Sequence, residues 1–184
     1  MSLSDSLASI PFRRLVWLLP ITFALHEAEE WNIIPWYQAQ FTNPPSTPDI
    51  AVYTWLVGIS LVGFLWTGAA CLLPTPRATA RMALPFFVVL VFANALQHVY
   101  WQVAFWTYAP GFFAAFFLNI PCILLLSWHA FRNELVGWRF LAVLYALCLP
   151  MLVSVITAGR TVPPTFHRIH EFSVWLANLL FGTA

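Results

Sequence analysis

The chain has 184 residues, of which 61% are hydrophobic, 17% aromatic and only 8% charged, with a formal net charge of +1. An average soluble domain carries about 25% charged residues, so this composition excludes a water-soluble globular fold and fits a bilayer as solvent. Every cation is an arginine, which excludes lysine Schiff-base chemistry, and the near-neutral chain has no basic stripe for nucleic acid.

At roughly 20 residues per span, the pattern predicts an all-α, polytopic transmembrane helical bundle of five or six spans in a single integral membrane domain over residues 1–184. The helices are expected at about 12–34, 50–73, 82–106, 111–131, 136–157 and 164–182. The first apolar run follows Arg13 and Arg14. It lacks a small-residue cleavage site beyond it, so it reads as a helix rather than a signal peptide. Pro35, Pro44, Pro45 and Pro48 then break the pattern, because proline lacks an amide donor and restricts its predecessor. Residues 74–81 turn the chain between the second and third helices, and Tyr108-Ala109-Pro110-Gly111 reverses it before the fourth. Asn119 and Pro121 interrupt the fourth helix, where a kink is expected. The tail opens with Pro163 and places His167, Arg168, His170 and Glu171 ahead of an apolar stretch, as a sixth span or a helix that half enters the bilayer. Cys71, Cys122 and Cys148 lie in apolar runs and read as small core residues.

Arginines at 13, 14, 77, 81, 132 and 139 fall before the first helix and in alternate loops, whereas the loops at 36–49 and 106–111 carry no cation. Cytoplasmic loops retain positive charge, so the N-terminus is expected to be cytoplasmic, with Arg160 the single dissent. Trp31, Trp36, Trp101 and Trp106 would then lie toward the outer interface.

The first helix contains His26-Glu27-Ala28-Glu29-Glu30, although an ionised group at mid-helix costs roughly 2.5 to 3.5 kcal/mol to insert. Spacings of three and four bring His26, Glu29 and Glu30 to one face, with Glu27 further round as the weakest member. Such a stripe is a set of metal ligands or a proton-handling cluster. Alternatively it is hydrated at the interface and paired with Arg160 or Arg168. Trp31 and Trp36, which follow the cluster, place it below the surface. His26 lies roughly 18 Å along its helix from Arg14, and His98 roughly 25 Å from Arg81, at about 1.5 Å per residue. Both reach the outer half of the bilayer, where the tail histidines also begin. Asn94 stands four residues before His98, with Gln97 beside it. The tail is expected to fold inward and bring His170 or Glu171 toward His26, whereas His129 reads as an interfacial residue at the cytoplasmic end.

His26-x-x-Glu29-Glu30, Asn94-x-x-x-His98, and Tyr108-x-Pro110-Gly111 followed by Pro121 together resemble the HXXEE family of bacterial integral membrane proteins. The resemblance implies a membrane-embedded enzyme of unassigned reaction in a bacterial inner membrane. It supplies candidate residues and no substrate.

The first functional reading is a metal-dependent hydrolase or oxidoreductase with His26, Glu29, Glu30, His98 and His170 as ligands. Glu29, Glu30 and Asn94 are its catalytic candidates, one glutamate serving as general base or Asn94 touching substrate. Mixed histidine and carboxylate suits zinc, iron or manganese. The substrate would be apolar or lipid-like, taken from the outer half of the bilayer; the expected partners are the lipid bilayer and that small molecule, with a homo-oligomer left open. The other readings are metal or proton transport, a haem held between His26 and His98, and a structural subunit of a membrane complex.

Overall fold

The computed structural model describes residues 8–182 and contains, among them, helices and no strand. Six helical rods are set largely by where proline falls. The first, α1, covers residues 12–40 and is assembled from Phe12–Leu15, Leu18–Glu29, a 3-10 turn at Glu30–Asn32, and Ile33–Gln40. Its two interruptions coincide with Pro20 and Pro35, which cannot donate to the carbonyls of Val16 and Trp31. The second helix, α2 (Asp49–Cys71), is unbroken.

The third, α3 (Pro76–Phe105), starts from Thr75, whose hydroxyl accepts the Ala78 amide at 3.1 Å. Pro85 leaves the Arg81 carbonyl without its helical donor, and the chain answers with a π-helical segment at Phe87–Phe92. The same device recurs in α4 (Phe112–Arg132), where Ala115–Asn119 winds as a π-helix immediately before Pro121. The interruption expected at Asn119 and Pro121 takes this form. In α5 (Trp138–Ala158) the break lies at Leu147 and Cys148, two residues before Pro150. The last helix, α6, is Pro164–Phe181.

Four of these, α2 to α5, are long and apolar enough to cross a membrane. Interruptions divide α1 into short pieces, and α6 opens on imidazoles and charges. Both lie against the bundle: α1 packs on α2 and the start of α4, and α6 packs on α2. The α5 helix rests on α3. Val57, Leu61 and Leu65 on α2, and Val143, Leu149 and Val153 on α5, face outward as a lipid-facing surface requires.

The interior has two apolar clusters. One joins Val16, Leu19 and Phe23 to Leu84, Phe87 and Leu126. The other joins Ile33, Tyr37 and Phe41 to Trp101 and Phe105. Trp31 and Trp106 are exposed, but Trp101 is buried against Trp36, Phe41 and His98 rather than in an outer belt. The cysteines are free: Cys122 and Cys148 are buried and Cys71 half-buried.

The arginine-bearing connections meet at one end. The Arg13 guanidinium donates to the Leu73 carbonyl and to Thr79, and Arg77 donates to the Glu134 carbonyl at 3.1 Å. At the other end Thr42 donates its amide to the Arg160 carbonyl at 2.9 Å, tying the proline-rich loop to the α5–α6 connection.

Candidate metal centre

Between the two apolar clusters, His26 and Glu30 on α1 meet His98 on α3. The Nε2 atoms of His26 and His98 lie 2.8 and 2.9 Å from the same oxygen, Glu30 Oε1, and all three residues are buried. Neither approach is aligned as an N–H···O hydrogen bond, so Oε1 is left without a donor. His26 Nδ1 donates to the Gly111 carbonyl at 2.9 Å, which consumes the one proton of a neutral imidazole. Its Nε2 then turns a lone pair toward Glu30 Oε1 and toward Asn94 Oδ1 at 3.2 Å. A cation at that point reconciles the three electron-rich atoms. An imidazole bonded through its far nitrogen to a backbone carbonyl is also the usual arrangement of a metal-ligating histidine. The far nitrogen of His98, Nδ1, is buried and unpartnered.

Gly111 is fixed here by both conformation and space. Its φ is +89°, and a Cβ would sit 2.8 Å from His26 Cε1 and 3.0 Å from both Glu30 Cγ and His98 Cε1. Only glycine lets the backbone roof the three side chains.

Glu29 goes elsewhere. Its two oxygens accept the amides of Phe113 at 3.0 Å and Ala114 at 2.7 Å, and it takes a short hydrogen bond from the Tyr108 hydroxyl. The first-turn amides of α4 have no helical acceptor, so a carboxylate there is held by both hydrogen bonds and the helix dipole. Partial burial and this hydrogen bond push the Tyr108 phenol above its ordinary pKa range. Glu29 thus clamps the loop that carries Gly111, and its carboxylate is not brought to His26. Residues three and four beyond His26 lie about 100° apart on a helix, enough to send the two glutamates to different neighbours.

A cavity of about 540 Å³ opens beside the cluster, with Glu30, His98, Asn94, Gln97 and Glu27 on its polar wall. Phe23, Ile59, Phe86, Leu90 and Met151 form much of the apolar remainder. His170 lines the same cavity from α6, its Nδ1 3.0 Å from the Thr47 hydroxyl and its ring edge-on to Tyr37. The tail therefore brings His170 to the cavity wall, while the clustered ligand atoms are those of His26, Glu30 and His98. Glu171 is exposed and His167 is bonded to Asn43 at 2.9 Å. His129 is buried and bonded to the Ile10 carbonyl at 2.9 Å. Arg160 lies over the Phe105 ring and Arg168 is exposed.

Glu27, ranked weakest by its angle, is buried on the cavity wall, and its spacing of three from Glu30 was the available signal. The place of Gln97 on the cavity wall and the roofing role of Gly111 were hidden, because both depend on contacts between helices. The haem reading is corrected by the rings of His26 and His98, which meet edge to face with centroids 4.8 Å apart over one shared carboxylate. A macrocycle does not fit between them.

The model of a family described as "Protein of unknown function with HXXEE motif" matches residues 17–126 of the chain, which reach from α1 through most of α4. Among curated proteins and among solved structures, none matches.

Proposed function

The chain belongs to the HXXEE family, and on that premise we propose that it is an integral membrane enzyme that uses a divalent metal to act on an apolar or lipid-like substrate. One observation carries the reading: a buried carboxylate oxygen shared by two imidazole nitrogens without an aligned donor, on the wall of a largely apolar cavity. His26, Glu30 and His98 would hold the ion. Two imidazoles and one carboxylate suit zinc in a hydrolase, or iron(II) in an oxidoreductase, and three protein ligands leave positions open for substrate. When bound, the ion supplies a Lewis acid or, as iron, a redox centre.

The other residues prepare that chemistry. Gly111 O holds the His26 proton on Nδ1, and Asn94 stands over Nε2 where it can steady the ring or meet substrate. Glu29 supports the site indirectly, through the loop. His170 lines the cavity from α6 and is proposed as a substrate contact.

The fifth and sixth spans are part of the proposal: α1 and α6 complete the bundle within the bilayer, with the N-terminus cytoplasmic and the site in the outer half. The arginines gathered at the opposite end support that orientation. A bacterial inner membrane is the expected location.

The test is metal analysis of the full chain purified without chelators, beside Glu30→Gln and His98→Gln. About one ion per chain, lost in both variants while they remain folded, is the expected result. A full chain without metal that does not take up zinc, iron or manganese on titration would refute the reading and favour a proton held between His26 and Glu30.

A further inference from the structure

We infer that the cavity takes a single-chain amphiphile whose polar end donates a hydrogen bond, an alcohol or an amine, and that Gln97 recognises that end. This rests on the proposal that the cavity is the substrate's place, but not on a metal being bound. Gln97 is 1% exposed, lines the cavity, and its Oε1 has no hydrogen-bond partner. A buried carbonyl oxygen left unpaired pays its desolvation without return, so an occupant that brings an O–H or N–H is favoured over one that brings only acceptors.

Charge narrows the class further. No residue lining the cavity is an arginine, while Glu27 and Glu30 both face it. In the metal-free cavity a carboxylate or phosphate head would enter a desolvated space beside Glu27 and Glu30 with no arginine to pair it, so a neutral or cationic head is favoured there. Beyond Gln97, on the side of Leu90 and Phe86, the walls become apolar with Ile59, Phe23 and Met151, as a hydrocarbon chain requires. That half faces the arginine-bearing end of α3, so the chain runs inward and the head stays beside His98.

The experiment uses the full-length protein in phosphatidylcholine nanodiscs and four tetradecyl probes with a diazirine midway along the chain. Their heads are a hydroxyl, an amine, a carboxylate and a methyl ether. Photolabelling is mapped to the peptides containing Ile59, Leu90 and Met151. At equal probe content in the bilayer, the alcohol, the amine or both should label these peptides about tenfold more than the ether, the worth of one hydrogen bond of about 1.4 kcal/mol, and in chelator-treated protein more than the carboxylate as well. The arm that prevails names the head group. Gln97→Leu, close in volume, should erase the preference of alcohol over ether. Equal labelling by the ether in the native protein, or by the carboxylate in chelator-treated protein, overturns the inference, and so does an unchanged preference in the variant. The same series on chelator-treated protein separates the two proposals, since selectivity that persists without metal supports this one whatever the outcome for the ion.

Discussion

Glu29 and Glu30 are neighbours that do different work, and their amides of substitution should separate that work. Glu29 holds two backbone amides of α4 and the Tyr108 hydroxyl. Hydrogen bonds to a charged group contribute about 1.5 to 3 kcal/mol, so Glu29→Gln should cost roughly 2 kcal/mol, read as a lower midpoint of thermal unfolding, with metal content largely kept. Glu30→Gln should show the reverse, a folded protein that has lost its ion. Gly111→Ala joins both effects: a positive φ and a Cβ within 2.8 Å of His26 should cost about 1 to 3 kcal/mol and displace the His26 ring. Metal content and unfolding midpoint measured on that variant decide it; native values for both would mean that the loop does not roof the site.

The helices as elements were legible because apolar length and proline are local signals, and the prolines also explain what the apolar pattern concealed. Pro85 and Pro121 each follow or precede a π-helical segment rather than ending a helix, since a bundle interior lets the released carbonyls find other partners. His26, Glu30 and His98 were legible as candidates from depth and helical face. The separate destination of Glu29 was not, because it depends on where the start of α4 docks. Nor was the place of α6. That helix packs on α2 and offers His170 to the cavity, not to the clustered ligand atoms. His170→Ala should therefore leave metal stoichiometry unchanged and weaken photolabelling of the cavity by amphiphile several-fold. Loss of the metal from a folded His170→Ala protein would instead make His170 a ligand, and α6 part of the centre.

For the whole molecule, the decisive quantity is the direction in which it is threaded, because that fixes which leaflet supplies the substrate. The connections bearing Arg13, Arg77 and Arg132 lie at one end, and the site lies toward the other, below the loops joined through Thr42 and Arg160. Under the proposed orientation, with arginine retained on the cytoplasmic side, the 41–48 loop lies outside; of the two arginines at that end, Arg160 is engaged with the Phe105 ring and the Gln40 carbonyl, and Arg168 is exposed near the start of α6. A cysteine at Ser46, an exposed position in that loop, reports the direction. In intact cells, a membrane-impermeant maleimide should modify Ser46→Cys, while a cysteine at Ala78, at the start of α3, should react only after the cells are opened. The native cysteines are buried or half-buried and should contribute little background, which the unsubstituted protein measures. Ser46→Cys that reacts only after cell opening would reverse the orientation, place the His26 cluster in the inner half of the bilayer, and require the substrate to come from the cytoplasmic leaflet.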